Sequence, residues 1–165
     1  MNVKRHEGHE REVPNAHIYH SLLPIIFVSI WILDSVIFRF SILLNNYIPF
    51  LVRLVLFIII FVISLILITL SHRTLFTTHQ PPNKLITSGI LRYVRNPMYL
   101  GILLIYLAFL FLSISLIGIG IFIIIFLVYD WMVNYEEKLL EDMFGEEYKK
   151  YKTKVSKWIP NPFKK

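Results

Sequence analysis

The 165-residue chain contains no cysteine, which excludes disulfides, thiolate metal ligands and a cysteine nucleophile. Charge is sparse, at 17% of residues, and acidic groups are outnumbered by Lys and Arg, 11 against 17. No internal repeat and no low-complexity linker divides the chain. No small-residue cleavage site follows the first apolar segment, which therefore reads as a retained anchor. What is abundant is apolar: 56% of residues are hydrophobic, 15% are aromatic and the mean hydropathy is +0.61. That is the composition of an integral membrane protein.

Crossing a hydrocarbon core of about 30 Å takes roughly 20 apolar residues. Residues 22–38 form a short candidate interrupted by Asp34, and 48–70 a strong one with Arg53 near its start. The run 98–133 is too long for one span. A turn near Ser113-Ile-Ser115 and Gly118-Ile-Gly120 divides it into helices 98–113 and 117–133. The expectation is an all-α integral membrane protein of about four transmembrane helices. A polar N-terminus (1–21) precedes them, and a C-terminal tail (134–165) follows.

Charge placement orients this arrangement. Lys4, Arg5, Arg11, Arg73, Lys84, Arg92, Arg95 and the basic tail fall on one side, while the turns near 41–47 and 113–120 carry no Lys or Arg. The positive-inside rule then places both termini in the cytoplasm. The net charge of +6 follows from this asymmetry and favours anionic lipid headgroups over nucleic acid. In the tail, Tyr135, Leu139, Leu140, Met143, Phe144, Tyr148, Tyr151 and Val155 recur at helical spacing between Glu and Lys. This reads as an interfacial amphipathic helix that Gly145 breaks or kinks.

Asp34 is costly within a span, and pairing with Arg39 or Arg53 is its expected resolution. His6/His9 and His17/His20 have i,i+3 spacing without carboxylate or thiolate support, so no metal site is expected. His72 and His79 flank the long loop as candidates for ligand contact.

Two polar clusters stand where the apolar hairpin begins and ends. The first is Gly89-Ile-Leu-Arg-Tyr-Val-Arg-Asn-Pro-Met-Tyr-Leu-Gly101, and the second is Tyr135-Glu-Glu-Lys138. Pro97 suits a first helical turn, and Asn96 is placed to cap it. Arg92 and Arg95 suit phosphate or carboxylate groups. Gly101 permits close approach by a ligand or a helix. Antiparallel packing brings Asn96–Tyr99 beside Asp130–Glu137. A cap and an interfacial belt account for Pro97, Trp131 and Tyr135, but they do not require adjacent glutamates.

These motifs, with Phe144-Gly-Glu-Glu-Tyr-Lys-Lys-Tyr151 and Val155-Ser-Lys-Trp-Ile-Pro160, resemble the isoprenylcysteine carboxyl methyltransferase family over about Gly89 to Pro160. The resemblance implies a multispanning enzyme using S-adenosylmethionine, bound by the last helices and the cytoplasmic tail. It implies that Asn96, Tyr99, Glu136, Glu137 and Tyr148 line or close the cofactor pocket; Arg95 and Gly101 join them as cofactor candidates from their place in the first cluster, and Glu137, Lys157 and Arg92 are the candidates for catalysis. The family usually has His at Asn96 and often Arg at Lys157. Related phospholipid N-methyltransferases do carry Asn-Pro-Met-Tyr followed by paired glutamates. Asn96 still donates and accepts hydrogen bonds, and Lys157 keeps its charge without the bidentate fork.

The expected reaction is methyl transfer to a lipophilic small molecule or lipidated acceptor at the cytoplasmic interface, with membrane lipid as the other partner. A carboxylate acceptor needs only a positioning cation such as Lys157 or Arg92. An amine must lose a proton, to Glu136, Glu137 or a Tyr. Three alternatives stand beside it: a phospholipid-type N-methyltransferase, an NADPH-dependent membrane reductase like the sterol reductases, and a non-enzymatic membrane scaffold.

Overall fold

The computed structural model describes residues 13–77 and 84–160. Among these the chain is helical throughout, with one isolated parallel bridge between Val94 and Ser156. The helices are α1 (Ala16–Ile32), α2 (Phe50–His72), α3 (Pro97–Leu112), α4 (Leu116–Phe144) and α5 (Glu146–Lys154). π-helical turns prolong α1 through Phe38 and α2 through Thr77, and 3-10 turns stand at Leu43–Asn46 and Gly89–Arg92. His6, His9 and His79 lie outside the described residues.

Among the described residues, three helices are long and apolar enough to cross a membrane: Ala16–Phe38, Phe50–Leu75 and Leu116–Phe144. The remaining apolar helix, α3, has 16 residues, or about 24 Å at a rise of 1.5 Å per residue. It is shorter than a typical span and is the most enclosed of the set, with Gly101, Leu103, Tyr106, Ala108 and Leu110 buried. Large side chains such as Ile25, Leu51, Ile59 and Ile124 are instead exposed on α1, α2 and α4. So much exposed apolar surface suits lipid as the solvent, since an interior sequestered from water by protein alone would hide it.

The core lies between α1, α3 and α4. Phe27 meets the Tyr106 ring edge-on at 4.8 Å, and Leu103, Leu110, Ile125, Tyr129 and Met132 close around them. On the other side α2 packs along α3. Hydrophobic association is weak between helices already in lipid, so close backbone approach carries the contact. Gly101 supplies it: a Cβ there would stand 2.6 Å from Ile68 Cγ1 and 3.2 Å from the Ser64 carbonyl oxygen. The Ser64 hydroxyl donates to the Gly101 carbonyl at 2.7 Å. The close approach that Gly101 permits here is to a helix, α2. Gly101→Ala is expected to push α2 from α3 and lower stability by about 1–3 kcal/mol, read as a fall in melting temperature in detergent. An unchanged melting temperature would show the pair to be loosely packed.

The turn between α3 and α4 is tighter than expected. It occupies Ser113–Ser115, and Gly118 and Gly120 already belong to α4. Ser115 ends the turn by accepting from the Gly118 amide at 2.7 Å, a side-chain N-cap that the glycines do not reveal. Asp34 joins this region without either arginine. Its carboxylate accepts from the Ser41 amide at 3.0 Å and from the Ser41 and Ser115 hydroxyls. Arg53 instead donates to the Ile48 and Leu112 carbonyls at 3.2 and 2.9 Å. Asn45 bridges to Ser113 and to the Ile114 amide. The two short turns are thus tied together at one end of the bundle.

At the opposite end α4 runs on without a boundary at residue 133, for 29 residues in all. The Tyr135, Leu139, Leu140 and Met143 spacing continues the helical period, and nothing breaks it before Gly145. Gly145 then turns the chain at φ 53°, ψ −125°, a conformation that a Cβ disfavours. The start of α1 lies at this end too, with the His20 ring 5.8 Å from Tyr129 and the Tyr19 ring 6.0 Å from Trp131.

Candidate functional site

Three stretches far apart in sequence meet at the end of the bundle where α3 starts. Asn96 is the N-cap residue of α3, but its side chain makes no cap bond; its backbone carbonyl accepts from the Leu100 amide at 3.0 Å. Pro97 occupies the first helical position, where it needs no donor of its own. Released from capping, the Asn96 amide donates to Glu137 Oε1 at 2.9 Å and to the Lys157 carbonyl at 3.5 Å.

Glu137 is 5% exposed and sits about two turns beyond the middle of α4. Arg95 holds it with two parallel bonds, Nε to Oε1 at 2.9 Å and Nη2 to Oε2 at 3.2 Å. The same guanidinium donates through Nη1 to the Lys152 and Val155 carbonyls at 3.0 and 2.7 Å, filling the unsatisfied end of α5. The Arg95 amide donates to the Ser156 carbonyl at 3.0 Å. One arginine therefore joins α3, α4 and the tail. Lys152 adds a weaker contact to Glu137 at 3.9 Å and pairs with Glu141 at 3.1 Å.

One helical position away, the chemistry is more open. Half-buried Glu136 accepts from the Tyr99 hydroxyl at 2.5 Å. The Tyr99 ring packs on His20 at 5.7 Å and on Tyr129 at 5.7 Å, forming an aromatic wall that leads into the core. Deeper along that wall the Tyr106 and Tyr129 hydroxyls are buried with no hydrogen-bond partner among the described residues.

Lys157 closes a third side. Its ammonium pairs with Asp130 and donates to Asn134 Oδ1 at 2.9 Å, while Trp158 Nε1 donates to Asp130 Oδ1 at 3.0 Å. Tyr148 is 1% exposed beneath the cluster. Burial, reinforced by the Glu137 carboxylate, pushes the Tyr148 phenol well above its ordinary value. It stays neutral across working pH and serves as packing beneath the ion pair. Burial does the same for Tyr151, whose hydroxyl donates to the Leu91 carbonyl at 2.6 Å.

The expected residues thus divide. Arg95, Asn96, Glu137 and the Lys157 backbone form one bonded network, and Tyr99 with Glu136 stands beside it. Gly101 faces α2, and exposed Arg92 lines a separate cleft with Arg73 and Gly89. Arg92 thus stands apart from the Arg95–Asn96–Glu137 network. Asp130, Asn134, Lys152, Trp158 and His20 received no role from the sequence. For Asp130 there was a signal: a carboxylate within an apolar helix, seven residues before Glu137 and so on nearly the same face. His17, His20 and His72 join no group of three metal-binding side chains among the described residues.

Comparison with known proteins bears on the same region. The model of the phospholipid methyltransferase family matches residues 49–147. An uncharacterized protein of Haemophilus influenzae is 44% identical over 63 residues, which are 38% of this chain and the full length of that protein. Methanethiol S-methyltransferase 1 of Bradyrhizobium diazoefficiens is 32% identical over 102 residues, covering 55% of this chain. The chain spans only 35% of the length of that enzyme. No solved structure matches.

Proposed function

The chain belongs to the phospholipid methyltransferase family, and from that premise we propose that it transfers a methyl group from S-adenosylmethionine to a lipophilic acceptor at the cytoplasmic face of a membrane. In this reading α3 completes a set of four crossings, with both termini cytoplasmic. The positive-inside distribution supports that orientation, and the start of α1 lying beside Tyr129 and Trp131, where the apolar part of α4 ends, places the two on one side. The observation that carries the proposal is the meeting of Arg95–Asn96, Glu136–Glu137 and Val155–Lys157 at one end of an apolar bundle.

The residues present fit the cofactor. Glu136 with Tyr99 offers a half-buried acceptor for ribose hydroxyls or an ammonium, and the Lys157 ammonium suits a carboxylate. The Tyr99 ring suits a cationic group such as a sulfonium. Glu137, already satisfied by Arg95 and Asn96, works mainly by positioning those two residues. When bound, S-adenosylmethionine supplies an electrophilic methyl for in-line displacement.

What the chain must add is orientation and exclusion of water. The tail segment Val155–Trp158, fastened over α3 and α4, serves as the wall on the aqueous side. A carboxylate acceptor needs a cation beside it, which Lys157 supplies only by exchanging its contact with Asp130 and in place of a cofactor carboxylate. An amine or thiol acceptor must give up a proton, and Glu136 of the Tyr99–Glu136 pair is able to receive it. The family match and the Asn96-Pro-Met-Tyr99 sequence favour a phospholipid-like amine among the alternatives, and the methanethiol enzyme adds a thiol.

Calorimetric titration of detergent-purified protein with S-adenosylmethionine and, separately, NADPH tests the reading. Saturable S-adenosylmethionine binding is expected, weakened on the order of tenfold in Glu136→Gln and in Tyr99→Phe, about the loss of one charge-assisted hydrogen bond. Binding of NADPH alone would move the chain to the reductases, and binding of neither would leave a scaffold.

A further inference from the structure

A second recess opens where α2 ends, lined by Arg92 and Tyr93, with buried Val94 standing between them and Arg95 in the chain. It is a cleft of about 610 Å³ between the last turn of α2 and the 3-10 turn Gly89–Arg92. Two guanidinium groups from different elements, Arg73 and Arg92, line it, and both side chains are exposed. Neither has an acidic partner among the described residues, whereas Arg95, three residues further on, is fully engaged by Glu137 and two carbonyls. Ser88 and Tyr93 add polar groups to the wall, and Leu70 and Ile90 are its apolar part.

The cleft is built by a close backbone contact. Gly89 adopts φ 59°, and a Cβ there would stand 2.6 Å from Thr74 Oγ1. Only glycine lets the turn seat against the end of α2, and that seating brings Arg92 to the same cleft as Arg73. The position along the membrane normal matters equally. Leu70 is 41% exposed at the end of the apolar face of α2, which continues through Ile66 and Ile63. A ligand with an anionic head in the cleft can lay its chain along that face.

We propose that Arg73 and Arg92 form a binding site for the phosphate of an anionic phospholipid, distinct from the methyl-transfer site. Two arginines facing one phosphate make charge-assisted, fork-shaped contacts that a zwitterionic headgroup, carrying its own ammonium, answers less well. The exposed α2 face selects a lipid over free phosphate, because only the lipid gains from apolar contact. The site anchors the junction of α2 and α3, from which Arg95 and Asn96 project, to one lipid in the cytoplasmic leaflet.

The test is native mass spectrometry on the full chain in neutral detergent, titrated with dihexanoyl phosphatidylglycerol, dihexanoyl phosphatidylcholine or inorganic phosphate. One phosphatidylglycerol per chain is expected to bind saturably, at least tenfold more tightly than phosphatidylcholine. Arg73→Gln with Arg92→Gln should weaken it tenfold or more, while the paired Lys substitutions keep the preference for phosphatidylglycerol. Helical content and melting temperature without lipid establish that each variant is folded. If the Gln pair fails to fold, the Lys pair and the three-ligand comparison decide. Equal affinity for the two lipids, or undiminished binding by a folded Gln pair, would overturn the site. Inorganic phosphate displacing the lipid at comparable concentration would overturn the assignment of a lipid.

Discussion

Arg95→Ala is expected to lower stability by about 3–5 kcal/mol and to free the C-terminal segment from the bundle. That magnitude is typical of removing one partner from a buried ion pair and leaving the other charge unpaired. Here Glu137, 5% exposed, would lose both of its guanidinium bonds. The Lys152 and Val155 carbonyls would lose their donor as well, so α5 would be left uncapped. Trypsin has ready targets in this segment at Lys149, Lys150, Lys152, Lys154 and Lys157. Limited proteolysis should therefore cut the variant there well before wild type, alongside a lower melting temperature. Cleavage at the wild-type rate would show that the tail is held by Asp130, Lys157 and Trp158 without the arginine.

Glu137→Ala strands the opposite charge and should behave similarly, so loss of cofactor binding in that variant would not separate contact from collapse. Replacing both partners, Arg95→Met with Glu137→Met, should recover part of the stability, since no lone charge is left buried. It should not recover cofactor binding, because Asn96 would no longer be held by Glu137. That split between stability and binding distinguishes a positioning network from a merely structural one.

Asp34→Ala should be nearly as damaging at the other end of the bundle. The carboxylate is 3% exposed and is the shared acceptor for the Ser41 amide, the Ser41 hydroxyl and the Ser115 hydroxyl. Each buried donor left without an acceptor costs about 1–3 kcal/mol, and in lipid no water replaces what is lost. Ser115 has a second task, accepting from the Gly118 amide to start α4. Disorder in its hydroxyl therefore spreads to the turn. Asp34→Asn retains an acceptor oxygen and should be markedly milder. Thermal unfolding followed by circular dichroism reads both, and S-adenosylmethionine affinity of the folded fraction should stay within about twofold, as a site at the far end of the bundle would be unaffected. A large fall in affinity with unchanged stability would instead give Asp34 a part in ligand binding.

These expectations show which contacts were legible before the fold was known. Meeting of the hairpin ends follows from antiparallel helices, so Asn96 and Tyr99 were placed near Glu136 and Glu137 from spacing alone. Their individual roles did not follow. A proline after Asn96 suggests a cap, yet the nearby carboxylate of Glu137 takes the amide, a partner 41 positions away in sequence. Likewise a lone aspartate within a span suggests an arginine partner, whereas serines satisfy Asp34 and leave Arg53 to carbonyls. In each case a polar residue has several chemically adequate partners, and only the packed geometry selects one.

Composition and apolar run lengths by themselves determined that this chain is helical and membrane-embedded, because backbone groups in lipid must bond within their own segment. The order of the polar motifs determined which end of the bundle holds the candidate site. The tertiary structure decided the rest. It turned Gly101 toward α2, carried Arg92 into a separate cleft, and extended α4 far enough to hold Glu137 against Arg95. The physical reason is range: periodicity and transfer energies act locally along the chain, while hydrogen-bond and ion partners are chosen by proximity in space, which the sequence records only through the fold.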